Sequence, residues 1–535
     1  DPSFQLTFLS VFAIIAAAWP LTQKLKAVGG WRPTRAEPYP PTAPPAVLAA
    51  AQILFWSERA WRAEMKNSTY SYRLIKHPWA ARLERCKLQI IARHAFVAVL
   101  VSASVQIALL PFLIVYFHRF SCASLLLNVW VGVLMAGLSL LTVVAVALAT
   151  MGDSWAAPLV KLAEYSNWLL THSVDPFVDW GIASWRVPEY SGVASALYLV
   201  YYAPLIVLLV LLAKWNPLRA PEANGARAKS DAQRWMGATF AQFFLILVLL
   251  AHPWSARLPT GRLEINFLDV GQGDAALVVL PDGSTLLVDG GGRANHQKMT
   301  EGDEESFEAD RRRVGEAVVA EYLWARGLDQ VDYLLATHGD ADHIQGLADV
   351  ARLFRVRTAF VARTPPRNFE YQRFAASLDD ARVPRSVIGA GDRLRFGDVT
   401  IDVLWPPPGA EPNAEWGNDE SIVLRINYGA RCFLLTGDVE RKAEAQLVGA
   451  DLRCDVVKVA HHGSKTSSTP EFVRAGRPSV AVISVGRVSP FNHPSPEVVA
   501  RWRDGGARVY TTGEMGTITI STDGRDLQMS TFVQP

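Results

Sequence analysis

Four short runs in the second half of the chain carry side chains that could do chemistry together. The densest is Thr337-His338-Gly339-Asp340-Ala341-Asp342-His343, directly after the apolar run 333–336. Two imidazoles and two carboxylates fall on what reads as a strand-to-helix loop, where they can converge on one point. Such ligands suit zinc, manganese or iron rather than a soft thiolate-bound metal. The second run is Leu434-Leu435-Thr436-Gly437-Asp438. The third is His461-His462-Gly463-Ser464, followed by Lys465. The fourth is Asn492-His493-Pro494. Any one alone is weak, because an Asp after a strand is commonly a turn or helix cap. Together they repeat one pattern: His or Asp at the C-terminal end of a strand. That pattern can hold two metal ions about 3.5–4 Å apart, with a carboxylate bridging them. Two glycine-rich runs precede these. Asp269-Val270-Gly271-Gln272-Gly273-Asp274 has the glycines of a tight loop near a ligand. Asp289, in Leu287-Val288-Asp289-Gly290-Gly291-Gly292, is suited to orient a ligand histidine from behind.

The elements that must position these groups begin near residue 262. Alternation and turn residues predict strands at 262–270, 275–280, 284–289, 331–336, 357–362, 400–404, 421–427, 431–436, 455–460, 479–485, 508–512 and 516–521. Helices are expected at 314–326, 344–354, 369–380, 439–448 and 496–504. The charged segment 293–313 reads as a loop with an insertion, and Arg311, Arg312 and Arg313 as a solvated helix face. Mixed strands and helices of this kind predict an α/β domain over 256–535, two sheets with helices outside, an αββα sandwich.

The first half is of another kind. The 535 residues are 50% hydrophobic and 19% charged, with 4 cysteines. This excludes a disordered chain and a disulfide-dense scaffold. A net charge of +2 hides an asymmetry: residues 1–260 hold 22 Lys/Arg against 12 Asp/Glu, and residues 261–535 hold 31 against 39. Apolar runs at 4–20, 95–116, 124–151, 193–213 and 237–252 are long enough, or nearly so, to span a bilayer. Residues 1–255 therefore read as a multi-pass α-helical membrane domain of about five spans. Residues 46–56 are too short to span comfortably, and 156–172, with Lys161 and Glu164, read as an interfacial amphipathic helix. Asp1 precedes an apolar run without a basic leader, which reads as the interior of a longer protein rather than a secretory signal. Basic residues in loop 214–236 and acidic ones in loop 152–192 put the domain after the last span on the outer face.

The whole set of motifs resembles the ComEC family, the DNA-internalisation channel proteins of bacterial competence. DVGQGDAALVV, LLVDGGG, THGDADH, NDESIVLRI, LLTGDVE and VVKVAHHGSKTSS are similar to its metallo-β-lactamase-fold domain. The Asp1–Leu9 run and the stretch from Phe117-His118-Arg119-Phe120 to Asn128 are similar to the C-terminal part of its competence membrane domain. Two departures stand out. Asp340 takes the place of the second histidine of the general His-x-His-x-Asp-His motif, and Asn418, Asp419 and Ser421 occupy the region where a further histidine is usual. The family's upstream portion has no counterpart in this sequence.

The resemblance implies DNA uptake across the bacterial cytoplasmic membrane, with double-stranded DNA outside, one strand transported and the other hydrolysed. It implies two divalent ions, zinc or manganese, held by His338, Asp340, Asp342, His343, Asp438 and one of His461 and His462, with His462 preferred. Asp342 serves as ligand or proton acceptor. His493 binds phosphate or protonates the leaving oxygen. Asp269, Asp274, Asp289, His461, Ser464 and Lys465 support the site or contact substrate. Membrane lipids, other competence proteins and a second copy of the chain are the remaining partners. Two other readings compete: a membrane-anchored hydrolase of another phosphodiester or ester, and a channel whose second domain only binds DNA. Cys432 and Cys454 read as two buried thiols rather than a disulfide.

Overall fold

The computed structural model describes residues 2–33, 39–67, 77–218, 225–253, 259–292, 314–362, 368–407 and 417–534. The charged insertion 293–313 with its three arginines lies outside the described residues, as do Asp1, Pro38, Arg219 and Glu222. The chain divides into two compact units, Asp1–Trp254 and Ser255–Pro535.

In the first unit, five helices are long and apolar enough to cross a membrane: Pro2–Gly29, Gln89–Phe117, Ala123–Ala149, Gly192–Lys214 and Ser230–Ala251. Each overlays one of the apolar runs of the sequence. The amphipathic segment forms the helix Asp153–His172, and the short run forms Pro45–Phe55. Pro111 sits inside the helix Gln89–Phe117. Proline has no N–H, so the carbonyl one turn back, on Ile107, loses its helical donor. Tyr201 supplies a replacement, its hydroxyl donating to Ile107 O at 2.7 Å, and the Tyr202 hydroxyl donates to Ala108 O at 3.0 Å. Asn128 Nδ2 donates to Ser102 Oγ at 3.0 Å between the helices Gln89–Phe117 and Ala123–Ala149. In a bilayer such bonds join helices that the hydrophobic effect cannot drive together.

The second unit contains fifteen strands among its described residues, labelled here β1 Leu263–Phe267, β2 Ala276–Val279, β3 Thr285–Val288, β4 Gln330–Ala336, β5 Arg355–Val361, β6 Arg385–Val387, β7 Arg393–Phe396, β8 Val399–Trp405, β9 Val423–Tyr428, β10 Arg431–Leu435, β11 Val456–Lys458, β12 Val480–Ile483, β13 Arg508–Thr511, β14 Ile518–Thr522 and β15 Leu527–Thr531. They form an eight-stranded sheet, β15-β14-β1-β2-β3-β4-β5-β6, and a seven-stranded sheet, β13-β12-β11-β10-β9-β8-β7. Strands β3 to β6 are parallel, as are β10 to β13. Parallel neighbours need a crossover, and the helical segment Gly315–Ala320 running into Glu321–Ala325 and the helices Ala341–Leu353, Phe369–Asp380, Arg441–Leu447, Pro470–Gly476 and Pro496–Asp504 lie in those six crossovers.

Both faces of the central strands are covered, which explains their nearly continuous apolar sequences. Leu286, Leu335, Phe433 and Val482 point between the sheets. Their neighbours Leu287 and Leu334 point outward under Leu323, Ile344 and Leu347. On the other sheet Leu434 and Ala481 point under Leu447, Phe472 and Trp502. Each fully buried Leu or Phe contributes about 1.5–3 kcal/mol, so neither layer of helices can peel away cheaply. The architecture is the expected αββα sandwich behind a multi-pass helical unit. Strands β6, β7 and β15 and the helix Pro470–Gly476 were not anticipated; β6 is a three-residue edge strand with all its side chains exposed.

Cys432 and Cys454 depart from expectation. They form a disulfide, with Cα atoms 4.7 Å apart. Cys432 lies on β10, and Cys454 stands just before β11, the strand parallel to it in the sheet. That register is invisible in the sequence, where 22 residues separate them.

Candidate metal centre

The chemistry-bearing side chains come from the C-terminal ends of parallel strands in both sheets. Strand β3 is followed by Asp289, whose φ of 56° suits an Asx residue in a tight turn. Strand β4 runs into Thr337 and His338, then the helix Ala341–Leu353 opens with Asp342 and His343. Gly290 and Gly346 let these segments touch: a Cβ on Gly346 would lie 1.9 Å from the Gly290 carbonyl oxygen. In the other sheet, β10 ends before Asp438 and β11 before His461 and His462.

Asp289 organises the first half of the site. It is buried, and it accepts from Thr337 N at 2.9 Å, Thr337 Oγ1 at 2.7 Å and His343 Nδ1 at 2.8 Å. Thr337 Oγ1, having donated its proton, accepts from His338 Nδ1 at 3.0 Å. His462 donates from Nδ1 to Ser484 O at 2.9 Å. All three imidazoles are thereby held by Nδ1 and present Nε2 to a common centre, the usual way a protein fixes a metal-ligand histidine.

Asp438 lies at that centre, with Oδ2 3.1 Å from His343 Nε2 and 3.3 Å from His462 Nε2. Asp342 reaches His462 Nε2 at 3.4 Å, and Asp340, with a side chain 44% exposed, is 3.7 Å from His338 Nε2. The Nε2 atoms of His338, His343 and His462 are buried without a hydrogen-bond partner. Orphaned imidazole nitrogens facing carboxylate oxygens are what a divalent cation needs. His338, His343 and Asp438 form one group able to hold an ion, and Asp342, His343 and His462 another.

The electrostatics agree. Burial opposes charge on His343, but the carboxylates of Asp438 and Asp289 outweigh it and hold the imidazole well above its usual range. His462 is raised likewise, by Asp438 and Asp274. Burial disfavours the Asp438 carboxylate, yet His343, His462 and Lys458 hold it well below the usual range. The site is a concentration of negative charge balanced by protons on imidazoles, and a cation would replace those protons.

Lys458 is the group that motif reading missed. It is buried at the end of β11, contacts Asp274, donates to Gly437 O at 3.0 Å and lies 3.4 Å from Asp438 Oδ1. Its signal was present in the sequence: a lone charge inside the apolar run Val456-Val457-Lys458-Val459.

The remaining expected residues fall around this centre. Asp274 is buried between Lys458 and His462, its Oδ1 3.4 Å from His462 Nδ1. Its loop is held close by Gly273, where a Cβ would lie 2.2 Å from the Asp342 carbonyl oxygen. Asp269 accepts from Gly271 N at 3.2 Å and stays within its own loop. His461 turns away from the cluster, toward Glu440 Oε1 at 3.0 Å and Asn418. Ser464 is buried in the same loop, its N–H donating to His461 O at 2.8 Å. Lys465 is exposed, and its carbonyl accepts from Arg441. His493 stands with its ring 5.8 Å from that of His461; burial and the neighbouring imidazoles lower it to about 4, so it is neutral at pH 7. Ser421 braces Asp438 by accepting its N–H at 3.2 Å, and Asp419 accepts from Glu440 N and Ala443 N at the start of a helix.

Comparison with known proteins accords with this geometry. The metallo-beta-lactamase superfamily model matches residues 268–487, and the Competence protein model matches residues 46–215. The second unit is thus a metallo-β-lactamase-superfamily domain, the fold of metal-dependent hydrolases, joined to a multi-pass membrane unit. Among curated relatives, ComE operon protein 3 of Bacillus subtilis is 26% identical over 441 residues, 78% of this chain and 51% of that protein. Competence protein ComA of Neisseria gonorrhoeae is 26% identical over 406 residues, 74% of this chain and 50% of that protein. This chain is similar to these competence proteins over about three quarters of its length, and it spans about half the length of the curated relatives it matches. Among solved structures, the metallo-beta-lactamase fold protein YhfI of Bacillus subtilis is similar at TM-score 0.30 and 11% identity, over 50% of this chain and 100% of that one.

Proposed function

We propose that this chain takes part in DNA uptake across the cytoplasmic membrane in natural transformation, and that its second unit is a metal-dependent phosphodiesterase that hydrolyses one DNA strand. The observation that carries the enzymatic reading is the set of three buried Nε2 atoms gathered around Asp438. His338, Asp340, Asp342, His343, Asp438 and His462 would hold two divalent ions, zinc or manganese. Such ions, when bound, supply a water acidic enough to act as nucleophile at neutral pH and neutralise charge on the phosphoryl oxygens. The chain's own residues do the rest. Asp289 and Ser484 fix the imidazole orientations of His343 and His462. Lys458 holds one oxygen of Asp438 and leaves the other facing the imidazoles. His493, neutral and at the rim beside His461, offers a ring N–H to a phosphate oxygen.

The second unit is placed on the outer face, where strand hydrolysis precedes entry. Two observations support that side: the loop charges of the first unit, and the Cys432–Cys454 disulfide, a bond that persists in oxidising compartments. DNA, membrane lipids and other competence proteins are the proposed partners.

The test uses the full chain in detergent, stripped of metal and then given manganese or zinc, with single- and double-stranded DNA. Metal-dependent cleavage that Asp438→Ala and Asp342→Ala both lose is the expected result. Absence of cleavage with every metal, in a folded chain that still binds metal, would remove the nuclease and leave the non-catalytic channel.

A further inference from the structure

Four arginines stand at the starts of four adjacent strands, at the end of the seven-stranded sheet away from the metal centre. Arg431 opens β10 and Arg508 opens β13; Arg453 and Arg477 each lie three residues ahead of β11 and β12. The register pairs Val456 with Val480, so the positions ahead of those strands sit side by side. Neighbouring strands are about 4.8 Å apart, so Arg431, Arg453 and Arg477 span about 10 Å, while Arg508, paired with Val480, stands one strand further on and three positions along. From Arg431 to Asp438 is seven residues of extended chain, about 20 Å at the usual rise.

The row opens onto a cleft of about 430 Å³ lined by Arg425, Arg431, Arg453 and Arg477, with the Cys432–Cys454 disulfide in its wall and Asp455 as the acidic group on its lining. Arg431 pairs with Asp455 at 2.9 Å, and Arg425 with Asp451 at 2.5 Å. Among the described residues, no salt bridge engages Arg477 or Arg508, both exposed, and Arg453, also exposed, lies beside Asp451, whose carboxyl Arg425 and Arg453 together hold below its usual range. This concentration occurs on a half of the chain with 31 basic against 39 acidic residues. Such local crowding of one sign costs self-repulsion unless an anion is recruited.

We propose that this edge binds the phosphate backbone of a nucleic acid strand, at a site separate from the metal centre. Arginine forks pair bidentately with phosphate. Arginines spread over several neighbouring strands fit successive phosphates of one chain better than a single phosphate ion. The cleft lining holds no large apolar side chain that could enter a bilayer, which argues against a lipid headgroup. The site shares its ligand with the uptake reading but needs no hydrolysis. It anchors a strand about 20 Å from the place of cleavage, so a strand held there is positioned relative to the centre before its scissile bond arrives.

The experiment measures binding of a fluorescent 20-nucleotide oligothymidylate to the full chain in detergent, by anisotropy, with chelator present so that nothing is cleaved. The variant is R453E/R477E/R508E; the charge-matched control is R355E/R382E/R395E, elsewhere on the unit. Loss of three phosphate contacts lowers the slope of log affinity against log salt by about 2 for a single strand. The expected result is at least tenfold weaker binding and that lower slope, in the first variant alone. Equal affinity and slope in both variants would overturn the proposal, as would a wild type that does not bind. Loss of binding to phosphatidylglycerol vesicles with oligonucleotide binding intact would also overturn it, in favour of a lipid. Cleavage is assayed separately with metal restored. An arginine variant that binds weakly while a metal-loaded wild type cuts nothing would sink the hydrolase and keep this site; the reverse would sink this site and keep the hydrolase.

Discussion

Asp289→Asn tests the logic of the metal centre with a change of one atom. The substitution keeps the volume, and asparagine tolerates the positive φ of 56° found there, so no backbone strain is added. What changes is the hydrogen bonding. The carboxylate now accepts from Thr337 N, Thr337 Oγ1 and His343 Nδ1. An amide has one accepting oxygen. With that oxygen kept on Thr337 N, its NH₂ faces His343 Nδ1, and two donors would meet. His343 must then move its proton to Nε2, which removes the lone pair aimed at the centre. Losing a charge-assisted bond is worth about 1.5–3 kcal/mol, and at about 1.4 kcal/mol per decade that is roughly a tenfold to hundredfold loss of metal affinity. Losses of that size are usual when the partner behind a ligand histidine is removed. The assay is competition of metal-free chain with a chelating dye for zinc and manganese, with the far-ultraviolet spectrum checked for folding. A variant that binds metal within about threefold of wild type would refute the reasoning, because His343 would then not owe its orientation to Asp289.

Lys458→Met leaves Asp274 and Asp438 buried without their cation; the metal-free second unit should lose about 3–5 kcal/mol, measured by urea unfolding followed through Trp324 and Trp502. Gly346→Ala puts a methyl 1.9 Å from the Gly290 oxygen, so it should destabilise by about 1–3 kcal/mol and weaken metal binding in the same dye assay by shifting the neighbouring Asp289. Reducing Cys432–Cys454, or replacing both by serine, opens a loop of 22 residues and should cost about 3 kcal/mol; an unfolding midpoint unmoved by reductant would argue that the bond does not form in solution.

The sequence carried the sandwich and most of the site because both are written locally. Leu286-Leu287 and Phe433-Leu434 are apolar on both faces, as covered parallel strands require. The motifs announce themselves because a strand end followed by His or Asp is a short-range pattern. What stayed hidden depends on distance. Lys458 and Asp274 are 184 positions apart, so the lysine looked like an oddity in an apolar run rather than half of a pair. The choice between His461 and His462 rests on left-handed backbone at both residues, φ 50° and 52°, which turns one ring inward and the other toward Glu440. The disulfide needed the register of β10 against β11. Edge strands β6 and β7 have exposed or half-exposed side chains and so lack the apolar run by which the buried strands were found.

The centre draws on both sheets, and this dictates an order of assembly. His338 and His343 belong to one sheet, Asp438 and His462 to the other, with the long span between His343 and Asp438 needed to build strands β5 to β10. No stretch of the growing chain that stops short of His462 can gather the full set of groups. Four of the six proposed ligands lie within residues 338–343, and folding must close two sheets through contacts distant in sequence, a slow kind of closure, before a cation finds the remaining two, Asp438 and His462. Reactivity is therefore the last property the polypeptide acquires: a half-made chain has no competent centre, and occupancy by metal would serve as a readout that closure is complete.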